Sequence, residues 1–207
     1  MIWAHSPLQL AWCRCISRRI SKSRRHKNYN SGFHRPSICL PCLSFFQDHK
    51  LSSLHPIRFE QGRPMLLGGL RQQHGFAESI QSQPEQWRQF RSLLPLPGQQ
   101  GSNVYGVMCG HDPALGFEYM CGVEVASLQD VPTDMGRMRI ASQQYAVFKH
   151  SGPLIQLGAL WGAICNEWLP HSAYQSAHKP DFEIYEATFD WNAGSGEVEI
   201  WISVTDK

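Results

Sequence analysis

The chain contains no apolar run approaching the roughly 18–20 residues that span a bilayer as a helix, so no membrane association is expected of its 207 residues. It also lacks the short motifs of the common enzyme classes. There is no G-x-x-x-x-G-K-[ST] phosphate cradle, no G-x-G-x-x-G, no G-x-S-x-G turn and no H-E-x-x-H. These absences argue against nucleotide, dinucleotide, α/β-hydrolase and zinc-protease chemistry, and no cofactor is expected. Acid is nearly missing from residues 1–50, where nine Lys or Arg stand against Asp48 alone. The remainder holds ten Lys or Arg and sixteen Asp or Glu, so the formal charge of +2 sums two unlike pieces. An acidic piece favours cationic ligands and argues against nucleic-acid binding by itself.

The seven cysteines are odd in number and form no regular framework. Cys109, Cys121 and Cys165 each sit alone in apolar segments, which fits reduced, buried thiols and a cytoplasmic location. Cys13-x-Cys15 with Cys39-x-x-Cys42, and His26 or His34 nearby, could make a zinc ligand set, but the CxC spacing is unusual and only one CxxC is present, so no metal is expected. Ten histidines are scattered, five of them within residues 1–55. His150, beside Lys149 at a strand end, reads as a surface residue.

Residues 1–55 show no helical or strand period and read as a basic extension, either a disordered tail or a spurious upstream stretch of reading frame. A basic arm touching nucleic acid through SRRISKSRRHK and an Arg/Ser-rich targeting peptide are the alternatives. Residues 56–207 read as one domain, and about 150 residues suffice for a self-sufficient core.

Within that domain RPMLLGGLRQQHGF predicts a strand. Ser82-Gln-Pro-Glu85 has the form of a capping box opening a helix, with Trp87, Phe90 and Leu94 on its apolar stripe. The strands NVYGVMC and FEYMCGVEV follow. The order then repeats: MRIASQQYAVFKH is a strand, and Ser151-Gly-Pro opens a helix with Leu154, Leu157, Trp161, Ile164, Cys165 and Trp168 on one stripe, stopped by Pro170. A hairpin ends the chain. The expected fold is α+β, a tandem pair of strand–helix–strand–strand modules with antiparallel sheets and a ligand cleft between them.

The hairpin carries the chemistry. Side chains alternate across a strand, so Val198, Ile200, Ile202 and Val204 oppose Glu199 and Trp201, while Phe182 and Ile184 oppose Glu183 and Tyr185. We expect one aliphatic face packed on a helix. The other face would gather Glu183, Tyr185, Glu199 and Trp201, and carboxylates among aromatic rings suit a lipophilic cation.

Several segments resemble the GyrI-like effector-binding domain, also found as the C-terminal half of AraC-type and BmrR-type regulators. They are Arg63-Pro-Met-Leu-Leu-Gly-Gly-Leu-Arg, Asn103-Val-Tyr-Gly-Val, Phe117-Glu-Tyr with Gly122-Val-Glu-Val, and Gln144-Tyr-Ala-Val-Phe-Lys-His-Ser-Gly. Glu167-Trp-Leu-Pro, Asp181-Phe-Glu-Ile-Tyr and Glu197-Val-Glu-Ile-Trp-Ile-Ser-Val complete the set, over about residues 57–205. The chain ends Ile-Ser-Val where Ile-Pro-Val is usual, and residues 1–55 are too short for the paired helix-turn-helix of AraC-type regulators, so direct DNA binding is not expected.

The resemblance implies two modules around a pseudo-twofold axis and a buried Glu, here Glu183, pairing with a lipophilic cation. It implies ring walls from Tyr119, Tyr185 and Trp201, with Glu199 as a second acid and Tyr105 and Trp161 as further lining; Trp168 reads as core. The function implied is binding of hydrophobic, cationic, drug-like molecules, as a stand-alone sensor or sequestering module. Two alternatives remain open: a hydrolase of electrophilic small molecules using Glu183 as general acid or base, and a partner of a regulator or of DNA gyrase.

Overall fold

The computed structural model describes residues 54–75, 78–112 and 115–207. The expectations for the extension, including Cys13, Cys15, Cys39, Cys42, His26 and His34, lie outside the described residues.

The described strands are β1 (Arg58–Gly62), β2 (Met65–His74), β3 (Gln99–Asp112), β4 (Gly116–Val125), β5 (Gly136–Ile140), β6 (Gln143–Pro153), β7 (Tyr174–Ser176), β8 (Asp181–Tyr185) and β9 (Ser195–Asp206). Helix α1 (Ser79–Arg91) follows β2. After β6, a 3₁₀ turn at Leu154–Gln156 leads into α2 (Leu157–Ala163), a π-helical turn at Ile164–Trp168 and the short α3 (Leu169–His171). One curled antiparallel sheet runs β1-β6-β9-β8-β3-β4-β2-β5, and β7 pairs with β9. Along the chain, β2, α1, β3 and β4 are followed by β5 and β6, then the helical stretch, and then the strands β7, β8 and β9.

Each face of the sheet buries its own apolar cluster. The helix-facing one joins Trp87 and Phe90 of α1 and Leu157 and Trp161 of α2 to Tyr119, Cys121 and Val123 of β4, Phe148 of β6, Tyr185 of β8 and Val198, Ile200 and Ile202 of β9. The other joins Met65, Leu67, Tyr105, Val107, Met120, Ile140, Tyr145, Val147, Phe182 and Trp201. Completely buried rings such as Phe90 and Phe117 contribute about 1.5–3 kcal/mol each.

Four expectations change in detail. The segment 138–150 is two strands, because β5 ends at Ile140 and pairs with β2 while β6 pairs with β1 and β9. Helix α1 starts at Ser79, one turn before the expected capping box, and Pro84 lies inside it. The Ser82 hydroxyl contacts the Glu78 carbonyl and His74 Nδ1 instead of capping, and Glu85 pairs with Arg88. The Ser151-Gly-Pro stretch still belongs to β6, which pairs with β9 through Pro153. His150 is buried, its Nε2 lying 3.0 Å from the Pro153 carbonyl.

Candidate functional site

The β8 sequence DFEIY sends Asp181, Glu183 and Tyr185 to the helix side of the sheet and Phe182 and Ile184 to the other. Glu183 is 5 % exposed. An ionised carboxylate so buried demands donors, and three are present. Tyr185 Oη donates to Oε2 at 2.8 Å, Tyr119 Oη donates to Oε2 at 2.9 Å, and Trp161 Nε1 donates to Oε1 at 2.7 Å. They come from β8 itself, from β4 and from α2, so the carboxylate ties the second helix to the sheet.

The backbone makes room for this cradle. Gly106 of β3 stands opposite Glu183 in the ladder. A Cβ there would lie 1.9 Å from Tyr119 Oη and 2.7 Å from Glu183 Oε2. Only glycine lets the strand pass beneath both groups.

Burial pushes the Glu183 carboxyl above its ordinary value of 4.5, against the pull of its three donors, which favour the anion. Burial, and then the neighbouring carboxylate, push the Tyr119 and Tyr185 hydroxyls well above 10. Both phenols therefore remain protonated donors at neutral pH.

Glu183 lies in the wall of a cavity of about 500 Å³. The sheet contributes Tyr119, Glu183 and Tyr185, and α2 contributes Leu157, Gly158 and Trp161. Helix α1 supplies Gln83, Pro84, Trp87, Arg88 and Arg91, and the β8–β9 connection supplies Trp191 and Gly194. The rings form a cluster: Trp87 lies 5.1 Å from Tyr185 and 5.0 Å from Trp191, and Tyr185 lies 5.1 Å from Trp191, centroid to centroid.

A buried polar network fixes the first helix. Gln86 Nε2 donates to the Leu70 carbonyl at 2.8 Å and the Tyr119 carbonyl at 3.0 Å. Its Oε1 lies 2.6 Å from His74 Nε2. With both amide hydrogens of Gln86 committed to carbonyls, His74 Nε2 is the donor. Burial lowers the His74 pKa, which keeps the ring neutral for that role.

Of the seven expected lining residues, Glu183, Tyr185, Tyr119 and Trp161 share the cavity and the other three do not. The β8–β9 register places Trp201 opposite Phe182 and Glu199 opposite Ile184. Directly opposed residues share a face, so Glu199 and Trp201 lie on the side away from Glu183. There Glu199 accepts Arg58 in a two-pronged ion pair at 2.7 and 2.8 Å and Trp201 Nε1 at 2.9 Å. Hydrogen bonding from Arg58 holds the Glu199 carboxyl below 4.5. Tyr105 stands opposite Ile184 on the same far face, 6.2 Å from Phe182. Trp168 is core, 4.9 Å from Phe148.

Trp191, Gly106, Arg91 and the Gln86–His74 network are site features that the sequence pattern does not single out, and Trp87 stands in the sequence only as part of an apolar helical stripe. The one local signal was an aromatic in the turn-like Asp190-Trp-Asn-Ala-Gly. Among the described residues no group of three or more His, Cys, Asp or Glu could hold a metal ion. No described helix is long and apolar enough to cross a membrane.

A model of the GyrI-like small molecule binding domain matches residues 55–205. The chain belongs to the GyrI-like family. The transcriptional regulator BrlR of Pseudomonas aeruginosa is 34 % identical over 94 residues, which span 45 % of this chain and 35 % of that regulator. The GyrI-like fold is seen in the structure of SAV2435 bound to tetraphenylphosphonium, at TM-score 0.58 and 18 % identity over 72 % of this chain and 93 % of that one. It is seen again in the integron cassette protein VCH_CASS2 from the mobile metagenome of Vibrio cholerae, at TM-score 0.54 and 20 % identity over 72 % of this chain and 95 % of that one. At these identities the structural likenesses establish the GyrI-like fold.

Proposed function

We propose that the chain is built as two strand–helix–strand–strand units and binds hydrophobic, cationic small molecules in the cleft between them, as a cytoplasmic sensor or sequestering module. Glu183 is the counter-charge. Tyr119, Tyr185, Trp161, Trp87 and Trp191 are the walls. The observation that carries this reading is a carboxylate buried in the wall of an aromatic cavity of about 500 Å³. An apolar cation entering such a site needs a negative partner to offset its lost hydration, and rings around it add up to about 2 kcal/mol each when desolvated. A carboxylate and two or three rings reach micromolar affinity, near −8 kcal/mol, after the costs of association. The tetraphenylphosphonium bound by SAV2435 supports this ligand class.

Three tryptophans line the cavity, so indole fluorescence reports occupancy. Titration with tetraphenylphosphonium should quench it at micromolar concentration, and the neutral triphenylphosphine oxide should not. Equal responses to both would remove the cationic specificity.

One observation supports a hydrolytic second reading: burial raises the Glu183 carboxyl, which stands beside two phenol donors, and a carboxyl so raised suits a general acid or base. That reading predicts steady consumption of an electrophilic ligand by the parent protein and none by Glu183→Gln.

A further inference from the structure

The cavity carries a cation of its own. The Arg91 guanidinium lies 4.8 Å from the Trp191 ring centroid, over the same aromatic cluster a ligand would use. Arg91 is solvent-exposed and lines the cavity. The neighbouring Arg88 is committed to Glu85, whereas no carboxylate pairs with Arg91 among the described residues. Glu183, by contrast, is buried. Glu85 and Arg88 also line the cavity but pair with each other, so the remaining charges make it bipolar, with Glu183 in its interior, the Arg91 guanidinium at its mouth and rings between them.

A ligand bearing only positive charge uses one pole and is opposed by the other, because Arg91 repels it and already covers one face of Trp191. We propose that Arg91 is a specificity-determining residue selecting amphoteric ligands, in which a lipophilic cation and a carboxylate or similar anion are joined by an aromatic body. This rests on the reading of Glu183 as counter-charge to the cation. A guanidinium presents paired N–H donors that match a carboxylate. Stacking on Trp191 restrains it in advance, so little side-chain entropy is lost when the anion arrives.

Two dyes with one skeleton separate the poles: rhodamine B, zwitterionic at neutral pH, and its cationic ethyl ester. Both are titrated by fluorescence anisotropy against the full chain and its Arg91→Gln, Arg91→Glu and Glu183→Gln variants. The zwitterion should bind the parent about fivefold more tightly than the ester, the scale of a partly exposed ion pair. Arg91→Gln should close that gap, and Arg91→Glu should invert it in favour of the ester.

An ester that binds the parent as tightly as the zwitterion, or a preference unchanged in both Arg91 variants, overturns the proposal. The counter-charge reading is judged separately by the ester. If Glu183→Gln weakens the ester and the carboxylate adds nothing, the cation site stands and the bipolar selection falls. If neither dye binds the parent, both fall.

Discussion

Glu183 and Glu199 lie on adjacent strands yet on opposite faces of one sheet, Glu183 opposite Ile200 and Glu199 opposite Ile184. One is buried among phenols and an indole, and the other is clamped by Arg58. Substituting them should therefore have unlike consequences. Glu199→Gln should leave the affinity for tetraphenylphosphonium unchanged within about twofold. It should cost at most about 1 kcal/mol of stability, because the Arg58 pair is partly exposed and solvent screens it. Chemical denaturation and a ligand titration on the same variant check both halves.

Gly106 tests the cradle without touching its polar atoms. In Gly106→Ala the new methyl meets the Tyr119 hydroxyl and the Glu183 carboxylate at impossible distances, so the cradle must open. We expect a loss of about 1–3 kcal/mol in denaturant unfolding, the usual cost of overpacking. Ligand affinity should fall with it. A variant as stable as the parent would mean that the three donors do not hold Glu183 as described.

The two acids also give opposite pH dependences. The folded pKa of Glu183 is raised, so the folded chain holds a proton that the unfolded chain has released. Stability from this group falls as pH rises from about 4.5 through the raised value, then levels. The folded pKa of Glu199 is lowered. Its contribution is present above about 4.5 and is lost as pH falls through the lowered value. Thermal unfolding from about pH 4 to about pH 9 should lose the first slope in Glu183→Gln. Extended to lower pH, it should lose the second in Glu199→Gln. Cation affinity should rise with pH through the raised Glu183 value, because the cation binds the ionised form.

Trp191 joins the β8–β9 connection to the aromatic cluster. Trp191→Ala should weaken tetraphenylphosphonium by roughly tenfold, since one desolvated ring contributes about 1–2 kcal/mol. Trp168→Phe, in the core near Phe148, should leave affinity unchanged. Parallel calorimetric titrations compare them.

Most of the strands, the helical stripes through Trp87 and Phe90 and through Leu157 to Trp168, and the family were legible because alternation and helical spacing are local properties. The short β1 and β7 were not, Leu94 lies beyond the end of α1 at Arg91, and Pro170 falls inside α3 and does not stop the helical stretch. Within each hairpin strand the alternation was also read correctly: Glu183 and Tyr185 share a face, as do Glu199 and Trp201. What the sequence did not carry was the parity between the two strands. A shift of one residue in pairing exchanges faces, and the connection around Trp191 sets that parity. Apolar character gave no help, because Phe182 and Ile184 pack in a second cluster on the far face. The start of α1 was masked by a competing signal, Ser82-x-x-Glu85, whose hydroxyl is taken up near His74. The break between β5 and β6 passes through Ala141 and Ser142, with no glycine or proline to mark it.

Glu183 as the counter-charge of a lipophilic cation is the central claim, and calorimetric titration of the full chain and its Glu183→Gln variant with tetraphenylphosphonium tests it most directly. The account predicts micromolar binding by the parent and at least tenfold weaker binding by the variant, about 1.4 kcal/mol or more. Equal affinities for parent and variant would contradict it.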